Sequence, residues 1–255
     1  MMRLVRVVPA AVLLMLALVP SPALAQVAQQ GLTLDLTGGG QMTERLMQII
    51  GLITILSLAP SILIMMTCFT RIVVVLSLLR TAIGIQQSPP NSVIVSLALF
   101  LTFFVMAPTI SEINRTAMQP LIAEEITTEE ALTRAESPVK KFMAAHTSVA
   151  DLGLFVTMAQ AAPPETVEAA PLQALIPAFM LSELKRAFEI GFLLFVPFLI
   201  IDMAIASILM SMGMMMLPPI VISLPFKLIF FVLVDGWRLV AGSLVASYGA
   251  GAPGP

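Results

Sequence analysis

The chain has 255 residues and a net charge of −2, with 11% charged side chains against 58% apolar ones, too few charges to coat a water-soluble surface. The mean hydropathy of +1.00 points to lipid as the solvent, and the absence of a basic block speaks against nucleic acid as a partner. A single cysteine, Cys68, and a single histidine, His146, exclude an intrachain disulfide and a Cys/His metal cluster, so neither metal nor cofactor is expected.

The N-terminus reads as a cleavable secretory signal over residues 1–25. Arg3 and Arg6 supply its positive start, "VVPAAVLLMLALV" its apolar core and Ala23-Leu24-Ala25 its small-x-small cleavage site. The competing reading is an uncleaved first membrane helix. Residues 26–45 form a polar leader with "GGG" at 38–40. Residues 46–110 are expected to hold the N-terminal membrane helices. Leu46 to Met66 is a charge-free apolar run, about 30 Å long as a helix and so able to cross a bilayer. Arg71 and Arg80 then bracket a short apolar core, and "QQSPPN" after them must break any helix. Ser92 to Ile110 is the second long apolar run.

Residues 111–186 intersperse acids and bases, from Glu112 to Asp151 and beyond, and predict a periplasmic insert of three short helices. Its stretch "AAPPETVEAAP" reads as a loop. Residues 187–248 read as a membrane hairpin, Phe188 to Met210 and Ile220 to Val245, folded back about "MSMGMMMLPP". The tail, 249–255, is low in complexity. The expected class is therefore all-α: membrane hairpins carrying prolines and buried charges, with a polar helical insert. The positive-inside rule puts the mature N-terminus outside and the bend bearing Arg71 and Arg80 in the cytoplasm. The insert is then periplasmic, the methionine turn cytoplasmic or buried, and the C-terminus outside.

Glu189, Asp202, Lys227, Asp235 and Arg238 lie in or at the ends of apolar runs, where each ionised group costs a few kcal/mol unless it faces protein or water. The midpoint between Asp202 and Lys227 is 214.5, and that between Glu189 and Arg238 is 213.5. Two opposite-sign pairs thus share one fold-back centre, which predicts Asp202–Lys227 and Glu189–Arg238 ion pairs within a subunit or between neighbours. A proton relay along Glu189, Asp202 and Asp235 is the alternative. It suits the residues less well, because a paired aspartate is held ionised by its cation.

Five of the seven residues from Met210 to Met216 are methionine. Scattered methionine is core filler; methionine concentrated at a fold-back with Gly213 suggests a pliable apolar plug. These residues also carry a resemblance. The blocks "FEIGFL", "MGMMMLPP", "LPFKL" and "VDGW", with "MTCFTRIVVVLSLLRTAIGIQQSPPN" upstream, resemble in order and spacing the FliP family of type III export-gate proteins. The likeness covers nearly all of residues 46–248. It implies a non-enzymatic, multi-pass subunit of the bacterial inner membrane at the flagellar basal body. It implies a homopentamer with FliQ and FliR that docks FlhA and FlhB and passes unfolded flagellar subunits. It also implies that Met210, Met212, Met214, Met215 and Met216 form a gasket in the lumen, with Phe188 and Phe192 as a further aromatic constriction. The virulence-type secretion paralogue and a small-solute or ion transporter using the buried acids are the alternatives.

No catalytic residue is expected. Cys68 has no histidine near it in sequence to activate it, and His146 sits in the polar insert. Asp235-Gly236-Trp237 reads as an interfacial anchor with a capping or pairing acid, and Glu124, Glu125, Glu129 and Glu130 as one solvated helical face.

Overall fold

The computed structural model describes residues 46–47, 49–51, 53–54, 57, 64–85, 88–214 and 218–249. The expected signal, the leader, most of the tail, and Met215 and Met216 lie outside the described residues. The chain divides into two units, Met1–Ser57 and Leu58–Pro255. The described residues of the first are helical; the helices named below belong to the second.

Helix α1 is Phe69–Ile83, ended by Gly84 in the left-handed region. Helix α2, Asn91–Ile113, starts directly after Pro90, whose fixed φ suits a helix entry. It runs through a π-helical turn, Asn114–Met118, into the short α3, Gln119–Ile122. Helix α4, Thr128–His146, opens with a side-chain N-cap: Thr127 accepts from the Glu130 backbone N–H, and Glu129 and Glu130 occupy the first turn. Helix α5 is Val149–Met158, α6 Leu172–Ser211, α7 Pro219–Leu233 and α8 Gly236–Ala246. Among the described residues there is no strand.

The direction of the helices follows from residues that touch. Arg71 meets Glu183 and Thr70 meets Met180, while Leu78 fills the space over Gly191; α1 and α6 therefore run parallel. Cys68 Sγ lies 3.9 Å from the Thr102 carbonyl oxygen, so α2 returns antiparallel to α1. Asp202 meets Lys227, and Phe198 meets Phe230, so α7 returns antiparallel to α6. One end of the bundle carries Cys68, Arg71, Glu183 and Tyr248; the other carries Arg80, Asp202 and the methionine turn.

This arrangement corrects the expectation that Arg71 and Arg80 share one bend. They sit nine positions apart on one helix, about 14 Å along its axis, and Arg71 belongs to the end that bears the insert. The sequence shows two arginines near a break, but not that the helix between them runs lengthwise through the bundle.

Two apolar cores are built. In the first, Ile72, Val75, Leu76 and Leu79 of α1 pack with Ala98 and Val105 of α2 and with Ala187 and Phe198 of α6. Their 3–4 spacing makes α1 a central strut. In the second, Met143 of α4 and Leu152 and Val156 of α5 close over Leu175, Ala178 and Phe179 of α6. All of these residues lie within 111–186, half of the buried cluster on the first part of α6, so that segment builds a small core of its own.

Helix α6 runs unbroken across the 186/187 boundary at which the charge pattern changes, and continues through Pro177 and Pro197. Its 40 residues span about 60 Å, roughly twice the hydrocarbon thickness of a bilayer. It cannot lie wholly in lipid: its first part is the floor of the insert, its second a membrane helix. The last apolar stretch is not one straight helix. It bends by 61° between α7 and α8, where Asp235 takes a left-handed conformation, φ 50°. A Cβ on Gly236 would stand 2.1 Å from the Phe231 ring, so the break needs glycine there.

Candidate functional site

The methionine turn is a helix C-terminus with its carbonyls satisfied. Gly213 N–H donates to the Met210 carbonyl at 3.1 Å and Met214 N–H to the Leu209 carbonyl at 3.0 Å. With Gly213 at φ 74°, these two bonds form a Schellman motif. The backbone is tied down while the side chains stay outside: Met210 is 59% exposed, Met212 66% and Met214 41%. Ordered backbone beneath uncovered, flexible thioethers is what a deformable apolar surface requires.

Above the turn, α6 carries an uncovered apolar stripe through Phe188, Phe192, Leu199 and Met203 to Met210. Only 11% of its most apolar window is buried by the rest of the chain, so lipid or other chains must cover it. Phe100, Phe103 and Phe104 make a second uncovered face on α2.

Two ion pairs sit at opposite ends of the bundle, the one at the turn end half-buried through Asp202 and the one at the insert end fully buried. At the turn end, Lys227 Nζ donates to Asp202 Oδ2 at 2.6 Å and Ser223 Oγ donates to Asp202 Oδ1 at 2.5 Å. Both carboxylate oxygens are therefore satisfied, and the side chain of Lys227 is 5% exposed. Ser223, one turn before Lys227, completes the acceptor's shell. Removing one partner of such a pair strands the other charge.

At the insert end, Arg71 and Glu183 form an ion pair that water does not reach, 4% and 0% exposed. The Tyr248 hydroxyl donates to the other Glu183 oxygen, and Arg71 Nη1 donates to Ser247 Oγ at 3.2 Å. The guanidinium also stacks 4.0 Å from the Tyr248 ring centre, a cation–π contact strengthened by burial. The His146 ring lies 4.9 Å from that of Tyr248, so His146 is packed against the end of α8 rather than solvated. Residues from α1, α4, α6 and the end of α8 meet at this point.

Within the chain, Glu189 and Arg238 do not pair. Glu189 faces Arg186 at 3.8 Å and Arg238 faces Asp235 at 3.9 Å, all four well exposed. The bend at Asp235 is the physical reason: counting residues from the turn tracks height only while both arms stay straight, and Arg238 lies beyond the break. Asp235 makes no side-chain cap to α8, and Trp237 packs edge-on against Phe231 at 5.4 Å. Phe188 and Phe192 lie on the uncovered stripe. Glu130 pairs with Arg134 on the solvated face of α4.

Sequence reasoning missed Glu183 and Tyr248. A signal for Glu183 existed: Leu175, Phe179 and Ala187 bracket it at helical spacing on one buried face. A carboxylate on that face demands a buried cation, and Arg71 occupies the matching stripe of α1. Nothing local marks Tyr248, since its partners lie far off in sequence.

An all-helical membrane protein is the class this architecture defines. Asn91–Ile122 and Leu172–Ser211 are long and apolar enough to cross a membrane, and the bent pair α7–α8 adds a third candidate. The signature of the FliP family matches residues 52–244, and the chain belongs to that family. It is 59% identical to the flagellar biosynthetic protein FliP of Caulobacter vibrioides, over 93% of this chain and 88% of that protein. It is 59% identical to the FliP of Bacillus subtilis, over 77% and 89%, and 56% identical to that of Aquifex aeolicus, over 83% and 89%.

Proposed function

We propose that the chain is the pore-forming subunit of the flagellar type III protein export gate, a non-enzymatic component of the bacterial inner membrane. Family membership and the flagellar naming of the relatives support the assignment to flagellar export. The observation that carries the mechanism is the methionine turn, a hydrogen-bonded backbone holding uncovered thioethers. In this proposal several copies, five by family resemblance, gather with FliQ and FliR round an axis and bring Met210, Met212, Met214, Met215 and Met216 together. Thioether side chains, with three rotatable bonds each, would exclude water at rest and mould round an unfolded polypeptide in transit. Phe188 and Phe192, on the same stripe of α6, would narrow the route above the seal. FlhA and FlhB would dock at the cytoplasmic face and supply the energy-dependent steps, and an N-terminal signal would be removed on insertion.

The 60 Å reach of α6 supports an assembly that stands partly above the bilayer, because its first half is packed under the insert. The virulence-type paralogue fits the same geometry, but the flagellar relatives weigh against it. The transporter reading would need Asp202 to change charge. Within the chain Asp202 instead serves as the acceptor that holds Lys227 and Ser223 of α7 against α6.

Replacing all five methionines by alanine separates the readings. The gate predicts ion leakage across the inner membrane with part of flagellar export retained, whereas Asp202→Asn alone opens no leak. A transporter would lose solute flux on Asp202→Asn and ignore the methionines. Reporter-ion flux and secreted flagellin measure both.

A further inference from the structure

We propose that a cavity between α1, α6 and α7, at the methionine-turn end of the bundle, binds the headgroup of an anionic phospholipid through Arg80. The cavity measures about 430 Å³. Its charged lining consists of Arg80, Lys227 and Asp202, two cations against one acid, so it carries a net positive charge. Lys227 and Asp202 neutralise each other at 2.6 Å, which leaves the excess charge on Arg80.

Arg80 is half-buried, and its partners among the described residues are neutral: Nη1 donates to the Pro89 carbonyl at 3.3 Å and to Asn91 Oδ1 at 2.6 Å. Among the described residues, no carboxylate lies within ion-pair distance of it, in contrast to Arg71, Arg134, Arg186 and Arg238. These neutral contacts hold the guanidinium at the cavity without discharging it. An arginine held in this way presents a planar fork matched to a phosphodiester.

The rest of the wall fixes which phosphate-bearing ligand fits. Phe195, Phe198, Leu199 and Ile220 line the same cavity, and Leu199 and Ile220 are uncovered. A free phosphate would leave these surfaces unsatisfied. A lipid puts its phosphate on Arg80 and the upper part of its acyl chain along the phenylalanines. Arg80 occupies the last turn of α1 and donates to Asn91, the first residue of α2, so it stands at one end of a helix long and apolar enough to cross a membrane. Basic pockets between membrane helices bind anionic headgroups on the same principle.

The test uses the full-length protein purified in mild detergent, with native mass spectrometry after exposure to phosphatidylglycerol or phosphatidylcholine of identical acyl chains. We expect several-fold preferential retention of phosphatidylglycerol. Arg80→Gln should abolish the preference, and Arg134→Gln on the insert should leave it intact. Thr81→Glu, an exposed position on the cavity wall, should also abolish it by adding a carboxylate while sparing the hydrogen bonds of Arg80. This second variant reads the site even if Arg80→Gln misfolds. Millimolar inorganic phosphate should not compete. Equal retention of the two lipids, a preference that survives both substitutions, or displacement by inorganic phosphate would each overturn the proposal. The readout is lipid binding, so it stands or falls separately from export.

Discussion

Gly213 and Gly236 differ in what an added methyl group would meet. At Gly213 a Cβ finds nothing within 4 Å, so Gly213→Ala costs only the left-handed strain, about 1–2 kcal/mol. At Gly236 three Phe231 ring atoms lie within 2.7 Å of the Cβ position; Gly236→Ala must displace a ring that packs on Trp237, costing about 1–3 kcal/mol. Thermal unfolding in detergent should therefore rank Gly236→Ala at least as damaging as Gly213→Ala, and the reverse order by a wide margin would contradict the packing described at the bend. The ion pairs are subject to a sharper test. Glu183→Gln strands a buried guanidinium and should cost about 3–5 kcal/mol, whereas Tyr248→Phe loses one hydrogen bond to a charged acceptor, about 1.5–3 kcal/mol. Equal effects of the two would mean that Arg71 is not held by charge. Asp202 and Lys227 should behave as one unit. Lys227→Met leaves a carboxylate without its cation and should destabilise more than the double change Asp202→Leu with Lys227→Met, as the midpoint of the same unfolding curves would reveal.

At the scale of elements, α6 governs the molecule. It supplies a wall to both cores, one partner to each of the two ion pairs and the first half of the methionine turn. Phe179 is completely buried in the insert's core, so Phe179→Ala should cost about 3–5 kcal/mol. The loss should fall on α4 and α5, read as faster protease cleavage between residues 159 and 171 with the membrane helices still protected; uniform cleavage along the chain would show that the insert has no core of its own. Element types were largely legible in the sequence, because long apolar runs and prolines are local signals. "QQSPPN" marks the break after α1, and "MGMMMLPP" marks the turn. What stayed hidden depends on partners distant in sequence. The charge change at residue 186 looks like a boundary, but a helix can leave lipid and enter an aqueous insert without breaking. The bend at Asp235 is announced by no proline, only by a glycine whose need becomes visible once Phe231 stands over it. Counting from the turn matches the height of Asp202 and Lys227 because both arms are straight that far, and it does not bring Glu189 and Arg238 together within one chain because Arg238 lies beyond the bend.

For the whole molecule, the uncovered stripe on α6 and the aromatic face on α2 must be covered by lipid or by other chains. In the proposed gate, copies and small helical partners cover these faces, and the thioethers of each turn meet across an axis. The geometry that supports this is a hydrogen-bonded turn whose described thioethers are uncovered. The most direct test exploits the scarcity of thiols, since Cys68 is the sole cysteine and is buried. Met212→Cys, in the assembled complex, should form disulfide-linked copies under mild oxidation and block export until reduced. If the thiol at position 212 is instead labelled freely by lipid-soluble reagents, never links copies and leaves export unchanged, the methionine turn does not line a shared channel.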